Sequence, residues 1–336
     1  MGQTKVADRQ LNTSPGSGGV SSPGGSNKQV QYNNNGVFAG SSKIQINNNG
    51  SLEVGIEENP VIPPSGFIGL YATSIANRTL PKYIGPSGRS DSLQVNLFRN
   101  KIGIWVPPGN ANTVPGIFGL PAATVVGTAT ARNVATTNLV TRIRRLGYVS
   151  ANTAGALTEQ RFTAAQYTAG TGTDGIGGFF YCIRFTPSNA AAVSGERFYT
   201  GLMDSTAAAT NVEPNTLVNH IGIAQLSTDA TQWCLVYGGT SAQTAIPCGT
   251  SLGAPNGLSN SFFELIIYAP SAISNTFYVK VTNIITGATF EYTLTGTATQ
   301  IPVNTVLLAP KTFKTNNTTA LAVAFDIASI YIETDN

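Results

Sequence analysis

The sequence predicts an all-β protein whose C-terminal half is a β-sandwich. Charged residues make up only 10% of the 336 residues, against roughly 25% in an average soluble domain. The hydrophobic fraction of 41% is nevertheless ordinary, which argues against a disordered chain. A helical bundle is also unfavourable, because its solvent faces are built from charged residues. Short apolar runs alternate with turn-rich stretches along the chain, as is typical of strands joined by tight turns.

The N-terminal residues predict an extended anchor over residues 1–27. Residues 14–26 consist almost entirely of Gly, Ser and Pro. Alone, such a tract is a flexible linker, because it buries nothing that offsets about 1–2 kcal/mol of ordering entropy per residue. We expect other chains of a large assembly to hold it, with Val6, Leu11 and Val20 as the apolar contacts; the alternative is a mobile tail.

A short internal repeat predicts a β-hairpin shaft over residues 28–58. Residues 29–36 read Gln-Val-Gln-Tyr-Asn-Asn-Asn-Gly, and residues 43–50 read Lys-Ile-Gln-Ile-Asn-Asn-Asn-Gly. Each copy ends in Asn-Gly, the pair that supplies the positive φ angles of a type I′ hairpin turn. A hairpin pair this small is marginal alone in water. We therefore infer that it associates with two further copies of itself.

Residues 59–155 predict a proline-rich β shaft or linker. Prolines at nine positions between residues 60 and 121 separate short apolar runs such as residues 66–71 and 101–106. Such runs read as isolated strands joined by rigid turns. Residues 138–146 fit either a strand or one short helix, and the strand is favoured.

Residues 156–336 predict the sandwich head. Short apolar runs follow one another at regular spacing, separated by turn-rich stretches such as residues 170–175. This arrangement is typical of a two-sheet sandwich or jelly roll. The runs lie at residues 178–185, 233–237, 262–268, 276–281, 288–294, 320–326 and 329–334.

Composition also bears on partners and location. A net charge of +3 and one basic cluster, Arg142 with Arg144 and Arg145, fall short of a nucleic-acid-binding stripe. No run approaches 18 consecutive apolar residues, so no membrane span is expected. The first residues lack the apolar segment of a signal peptide, and the three cysteines do not indicate a disulfide scaffold. We expect the chain to fold in the cytoplasm of the cell that makes it.

His220 is the single histidine and the only candidate base of a Ser-His-Asp apparatus. No Gly-x-Ser-x-Gly elbow accompanies it, so a hydrogen-bonded core or rim position is the favoured interpretation. With Cys182, Cys234 and Cys248 it makes a permissible zinc ligand set. These ligands are far apart in sequence, however, whereas structural zinc sites draw theirs in close pairs. Buried reduced cysteines are the better account, and no cofactor or metal is expected.

Paired carboxylates are the serious enzymatic alternative, because two of them 5–10 Å apart suffice for glycoside hydrolysis. No spacing singles out a pair, so we expect the protein not to be an enzyme. The available carboxylates are those of Asp174, Asp204, Glu213, Asp229, Glu264 and Glu291.

Saccharide binding requires an aromatic platform beside amide and carboxylate groups. Residues of these types near predicted loops are candidate receptor contacts, since loops at the ends of a sandwich commonly carry binding sites. They are Tyr167, Asn211, Asn215, Asn219, Trp233 and Tyr237.

Residues 25–36 read Gly-Ser-Asn-Lys-Gln-Val-Gln-Tyr-Asn-Asn-Asn-Gly and follow a Gly/Ser tail. In this element the chain resembles the fibre proteins of tailed bacteriophages. Further matches lie in residues 177–179, 197–202, 219–223 and 330–335, which look like strands of the lectin-like sandwich heads on such fibres. Residues 59–150 are less diagnostic.

The resemblance implies a homotrimeric virion appendage. Its N-terminal residues 1–27 would dock onto tail, collar or capsid proteins, and its head would bind a glycan or protein of the host surface, most simply as a tail fibre. Two alternatives remain open. One is a capsid or collar decoration fibre without a receptor role, and the other is a polysaccharide-depolymerising tail spike.

Overall fold

The computed structural model describes residues 26–35, 37–88, 90–92, 102–115, 118–189, 191–255 and 261–334. The predicted anchor contacts Val6, Leu11 and Val20 lie outside these residues. Contacts divide the chain into two units, Met1–Ser74 with Thr79–Gln94, and Ile75–Arg78 with Val95–Asn336. We call them the hairpin unit and the sandwich unit.

The described strands of the hairpin unit form two three-stranded sheets, ordered β1-β2-β3 and β4-β5-β6. Their bounds are β1 (Gln29–Asn34), β2 (Val37–Ile46), β3 (Leu52–Val54), β4 (Gly69–Ile75), β5 (Arg78–Ile84) and β6 (Ser90–Ser92).

The two predicted hairpin turns differ in the structure. Asn34 pairs with Val37, so β1 and β2 are joined by the expected two-residue loop, and Asn35 has a φ of 52°. Between β2 and β3, Ile46 pairs with Leu52, which leaves a five-residue loop. The prediction of a second type I′ turn is therefore wrong. The Asn47 carboxamide oxygen accepts hydrogen bonds from two backbone N–H groups of this loop at 3.0 and 2.9 Å, and so stabilises the longer turn.

The described strands of the sandwich unit form two antiparallel sheets. One has eight strands, ordered β19-β18-β17-β12-β21-β10-β9, with β7 also paired to β21; the other has seven, ordered β16-β15-β14-β13-β20-β11-β8. The bounds are β7 (Ile102–Trp105), β8 (Ala123–Val126), β9 (Thr128–Arg132), β10 (Arg145–Val149), β11 (Leu157–Phe162), β12 (Phe179–Pro187), β13 (Arg197–Met203), β14 (His220–Leu226), β15 (Asp229–Gly238), β16 (Ile246–Pro247), β17 (Phe263–Ala269), β18 (Thr276–Asn283), β19 (Thr289–Thr295), β20 (Ala309–Thr315) and β21 (Ala324–Thr334).

Aromatic side chains from both sheets form the centre of the core. Trp233 is fully buried, and its ring lies 5.2 to 5.6 Å from those of Phe185, Phe198 and Phe263. Phe185 and Phe263 lie on the eight-stranded sheet, whereas Phe198 and Trp233 lie on the other. These contacts join the inner faces of the two sheets, so the predicted all-β sandwich is confirmed.

Residues 102–149, which fall within the predicted shaft or linker, supply strands β7 to β10 to the two sheets of the sandwich. Residues 138–146 do not form one continuous strand. They begin with the one-turn helix α1 (Leu139–Arg142) and enter β10 only at Arg145. The side chain of Asn138 accepts a hydrogen bond from the backbone N–H of Thr141, whose hydroxyl accepts one from the N–H of Asn138. This capping box stabilises the helical turn.

Candidate functional site

Two of the predicted receptor contacts are core residues. Trp233 is 0% exposed and Tyr167 is 1% exposed, and both belong to the main core of the sandwich. As core residues they offer no surface to a ligand, which corrects their assignment as platform aromatics. Both aromatic side chains instead pack against other apolar residues of the core.

The predicted asparagine contacts are mostly occupied by bonds within the protein. The Asn211 carboxamide accepts a hydrogen bond from Arg197 Nη1 at 2.9 Å and donates one to the Asn317 carbonyl oxygen at 3.1 Å. Asn219 donates to an Asp204 carboxylate oxygen at 2.8 Å. Asn215 is half-buried in the short 3-10 helix Pro214–Thr216. These side chains shape the long loop between β13 and β14.

A buried charged cluster fixes the start of that loop to the seven-stranded sheet. Glu159, fully buried, forms ion pairs with Arg161 at 2.5 Å and with Lys311 at 3.4 Å. One Glu159 carboxylate oxygen also accepts a hydrogen bond from the Ala209 N–H at 3.0 Å. Lys311 Nζ donates to the Ala207 carbonyl oxygen at 2.7 Å. The cluster therefore has a structural role in holding residues 205–209.

The candidate zinc ligands do not form a cluster. Cys248 packs in the main core, whereas Cys234 lies in a second cluster with Tyr199, and Cys182 packs in a third. Burial raises the pKa of the Cys248 thiol to about 12. Among the described residues, no three His, Cys, Asp or Glu side chains lie together in a way that could hold a metal ion.

His220 is buried next to Tyr199, with 5.7 Å between the ring centroids. Neither ring nitrogen has a hydrogen-bond partner among the described residues, which corrects the expected hydrogen-bonded position. Burial lowers the pKa of His220 to about 3. The imidazole is thus neutral in the folded protein at ordinary pH.

The candidate carboxylates mostly have partners of their own. Glu213 pairs with Arg197, Glu264 with Arg184 and Glu291 with Lys280. Asp229 accepts hydrogen bonds from the hydroxyl and backbone N–H of Thr231 and from the Gln232 amide. These bonds, chiefly the one from the Thr231 hydroxyl, lower the pKa of its carboxyl group. A general acid of a glycosidase needs a raised pKa, so Asp229 is unsuited to that role.

A depression lined by both aromatic and polar residues lies on the outer face of the eight-stranded sheet. It has a volume of about 220 Å³ and lies where β18 and β19 meet the turn at residues 75–78. Its lining residues are Ala76, Asn77, Tyr278, Val279, Glu291, Tyr292 and Thr293. This set combines aromatic rings with hydroxyl, amide and carboxylate groups.

Strand register places three of the lining side chains on the same face. Tyr278 pairs with Thr293 and Lys280 pairs with Glu291, and side chains two residues apart on a strand share a face. The Glu291 side chain is 60% exposed while it forms an ion pair with Lys280 at 2.7 Å. It can therefore accept further hydrogen bonds from a ligand.

The aromatic ring that faces the depression is held in place by packing. Tyr278 stacks on Tyr268 with 6.1 Å between centroids. Tyr292 lies on the opposite face of β19 and stacks there on Phe290 at 6.2 Å. A supported ring such as that of Tyr278 can bind the apolar face of a ligand with little loss of side-chain entropy.

The turn that completes the depression is fixed by a buried arginine. Arg78 forms an ion pair with Glu333, which is fully buried, and its guanidinium lies 4.9 Å from the ring centroid of Phe180. Ala76 packs on Phe180 and Ile266. Asn77, between Ala76 and Arg78 in the sequence, has a φ of 59° and is exposed.

Sequence reasoning missed this depression because its residues lie within strands that read as core. Tyr278, Glu291 and Thr293 alternate with apolar neighbours, and the pattern alone does not show which outward positions border a cavity. Of the predicted candidates only Glu291 lines the depression. Asn77, which contributes the amide, is more than 200 positions earlier in the sequence.

Comparisons with known proteins give structural likenesses only. No protein-family model and no curated protein matches the chain. The carbohydrate recognition domain of Emp47p is similar with a TM-score of 0.45 and 10% identity, over 69% of this chain and 94% of that one. Arcelin-5, a lectin-like defence protein from Phaseolus vulgaris, has a TM-score of 0.39 and 9% identity, over 64% and 92%. The CBM2 module of an evolved Dit from Lactobacillus casei BL23 phage J-1 has a TM-score of 0.39 and 14% identity, over 70% of this chain and 98% of that one.

The neighbours thus include lectin-like folds and a phage protein. At TM-scores below 0.5 they carry no argument about this chain, whose fold rests on the sheets and core described above. Among the described residues, no helix is both long enough and apolar enough to cross a membrane.

Proposed function

We propose that the protein is a non-enzymatic, homotrimeric fibre of a tailed bacteriophage virion. Residues 1–27 attach it to other virion proteins, the hairpin unit joins the three copies, and the sandwich unit binds a glycan of the host surface. A tail fibre is the favoured position. The sequence resemblance at residues 25–36 supports the phage assignment.

The observation that carries the proposal is the difference in burial between the two units. In the hairpin unit, the described residues include twelve large apolar side chains that are more than a third exposed, among them Leu52, Phe67 and Ile68. The buried apolar residues described there are Tyr71, Ala72 and Ile84. The sandwich unit, in contrast, encloses a large aromatic core. One unit is therefore complete in itself, and the other requires partners to cover it.

The depression beside Tyr278 and Glu291 supports glycan binding. Sugar rings present apolar C–H faces together with hydroxyl groups, which match an aromatic ring flanked by carboxylate, amide and hydroxyl groups. A volume of about 220 Å³ is below the roughly 300–1,000 Å³ of drug-sized pockets. It suits one sugar unit or the end of a chain.

The state of assembly is tested by sedimentation of the full chain. We expect a particle of three times 35.0 kDa that persists at micromolar concentration.

The position of the protein on the virion is tested by electron microscopy of virions labelled with antibody against residues 156–336. Label on the tail supports the tail fibre, label on the capsid or collar supports a decoration fibre, and unlabelled virions contradict the proposal.

Glycan binding is tested by paired substitutions on the same face of the sheet. Glu291→Gln removes a charged acceptor from the depression, whereas Glu264→Gln makes the same change in an ion pair outside it. On an array of bacterial surface polysaccharides, we expect Glu291→Gln to weaken binding roughly tenfold or more. Glu264→Gln should bind like the wild type.

Two results contradict this assignment. One is equal binding by both variants to a polysaccharide that the wild type binds, and the other is a wild-type protein that binds none. Sustained release of reducing ends from a bound polysaccharide would instead favour the depolymerising spike.

A further inference from the structure

We propose that the hairpin unit contains both halves of the contact that joins the copies: an apolar groove beside β3, and a proline-bounded segment that fills the groove of the next copy. This inference rests on the homotrimer of the proposed function. It goes further by naming the surface, the occupant and the manner of exchange.

The groove continues an apolar part of one face of the first sheet. Ile44 pairs with Val54 and Ile46 pairs with Leu52, so all four side chains lie on one face. The opposite face carries the Gln45 and Glu53 pair, whose side chains are hydrogen-bonded at 2.6 Å. Such a sheet is amphipathic, and its apolar face is from 36 to 61% exposed at these four residues.

The groove itself has a volume of about 340 Å³. Leu52 and Leu70, at its wall, are 61% and 59% exposed, and Lys82 carries the only charge in the lining. The lining residues are Leu52, Val54, Leu70, Tyr71, Ala72, Thr79, Pro81 and Lys82. This space accommodates a large apolar side chain.

The occupant is the segment at residues 61–68 of a second copy. It reads Val-Ile-Pro-Pro-Ser-Gly-Phe-Ile, carries no charge, and lies outside the strands. Its four large apolar side chains are among the most exposed of the described residues: Val61 88%, Ile62 56%, Phe67 65% and Ile68 66%. Prolines 63 and 64 restrict its conformations, which lowers the entropy lost on binding.

The amount of surface favours a copy of the same chain. Among its described residues, the hairpin unit exposes twelve large apolar side chains, and exposed apolar surface on this scale marks a protein–protein contact. Because the groove and the segment are different surfaces of one chain, each copy can insert its segment into the groove of a second copy while its own groove binds the segment of a third. Such head-to-tail contacts close into a ring when the rotation allows it, as three copies require.

The test is cross-linking between two differently substituted full chains. One carries Val54→Cys in the groove and the other carries Phe67→Cys in the segment, and the two are unfolded together, refolded and treated with a short bismaleimide. We expect a covalent dimer of the two chains, because the segment of one copy lies in the groove of another. The control replaces Val54→Cys with Leu321→Cys, at a 52% exposed residue of the sandwich unit.

The outcomes separate this inference from the proposed function. A Val54–Phe67 product well above the Leu321 control supports the exchange. A particle of trimeric mass without that product overturns the exchange and leaves the homotrimer intact. A monomer by sedimentation overturns both. Cys234 and Cys248 are buried and Cys182 is half-buried, so the native cysteines should react little. Unsubstituted chains treated in the same way measure any cross-linked product that the native cysteines form.

Discussion

His220 is a single residue whose burial makes the fold sensitive to acid. Its pKa is about 3 in the folded protein, against about 6.5 in an unfolded chain. The neutral ring is therefore favoured by folding. Its contribution to stability is fully present above pH 6.5 and is lost as the pH falls through 6.5 towards 3.

We expect His220→Phe to remove part of this sensitivity, because a phenyl ring can pack on Tyr199 without a proton to gain. The wild type should lose about 3 kcal/mol more stability than the variant between pH 7 and pH 4. Guanidinium unfolding at the two pH values measures this difference. Equal losses by both proteins would show that His220 does not couple protonation to folding.

Individual residues were the hardest to place from the sequence. Trp233 and Tyr167 were selected because of their chemistry, but an aromatic side chain is equally suited to a core, and the strand pattern does not distinguish the two. Glu291 was available as one carboxylate among several, whereas Tyr278 had no feature that set it apart. The depression exists only because residues 75–78 pack on β18 and β19, which is a long-range contact.

At the scale of elements, the loop between β13 and β14 depends on charges buried in the sheet beneath it. Glu159 forms ion pairs with both Arg161 and Lys311 and also accepts a hydrogen bond from the Ala209 N–H. Removing one partner of a set of buried charges leaves the remaining charges unpaired in the interior, which destabilises the folded state. Burial already lowers the pKa of Lys311, while the charge of Glu159 opposes that shift.

We expect Glu159→Gln to lower the free energy of unfolding by about 3–5 kcal/mol, and to increase hydrogen exchange at residues 205–209. The matched control is Glu264→Gln, whose partner Arg184 is 52% exposed. Its cost should stay within about 1 kcal/mol. If both variants unfold at the same denaturant concentration, the cluster does not hold the loop.

Elements were predicted with more success than sites. The apolar runs at residues 178–185 and 262–268 correspond to β12 and β17, because short, nearly continuous apolar runs bounded by turn residues are typical of central strands buried on most of both faces. For residues 138–146 the strand was favoured over the short helix α1, because the capping box of Asn138 with Thr141 departs from the usual pattern with Glu or Gln at the last position. The second hairpin was predicted but its turn type was wrong, because Asn47 stabilises a longer loop than Asn-Gly alone suggests.

At the scale of the whole molecule, the two units should respond differently to protein concentration. The sandwich unit has its own core, so its unfolding should be independent of concentration. The hairpin unit is covered by other copies in the proposed trimer, and association stabilises what it covers in proportion to the logarithm of concentration. In the proposed trimer, the stability of the hairpin unit should therefore depend on concentration, whereas that of the sandwich unit should not.

The unfolding of the two units can be followed separately. Both tryptophans, Trp105 and Trp233, are fully buried in the sandwich unit, so tryptophan fluorescence follows the unfolding of the sandwich unit alone. Hydrogen exchange at residues 29–54 follows the hairpin unit. Over a hundredfold dilution, we expect protection at residues 29–54 to fall while the fluorescence melting temperature stays constant.

A charged substitution gives the matched comparison. Leu52→Glu places a carboxylate on the apolar face of the first sheet and should abolish protection at residues 29–54 at every concentration, because burying an unpaired charge between copies is unfavourable. Leu321→Glu, at a similarly exposed residue of the sandwich unit, should leave that protection unchanged. Protection that survives both dilution and Leu52→Glu would mean that the hairpin unit folds without partners, and the trimeric shaft would have to be abandoned.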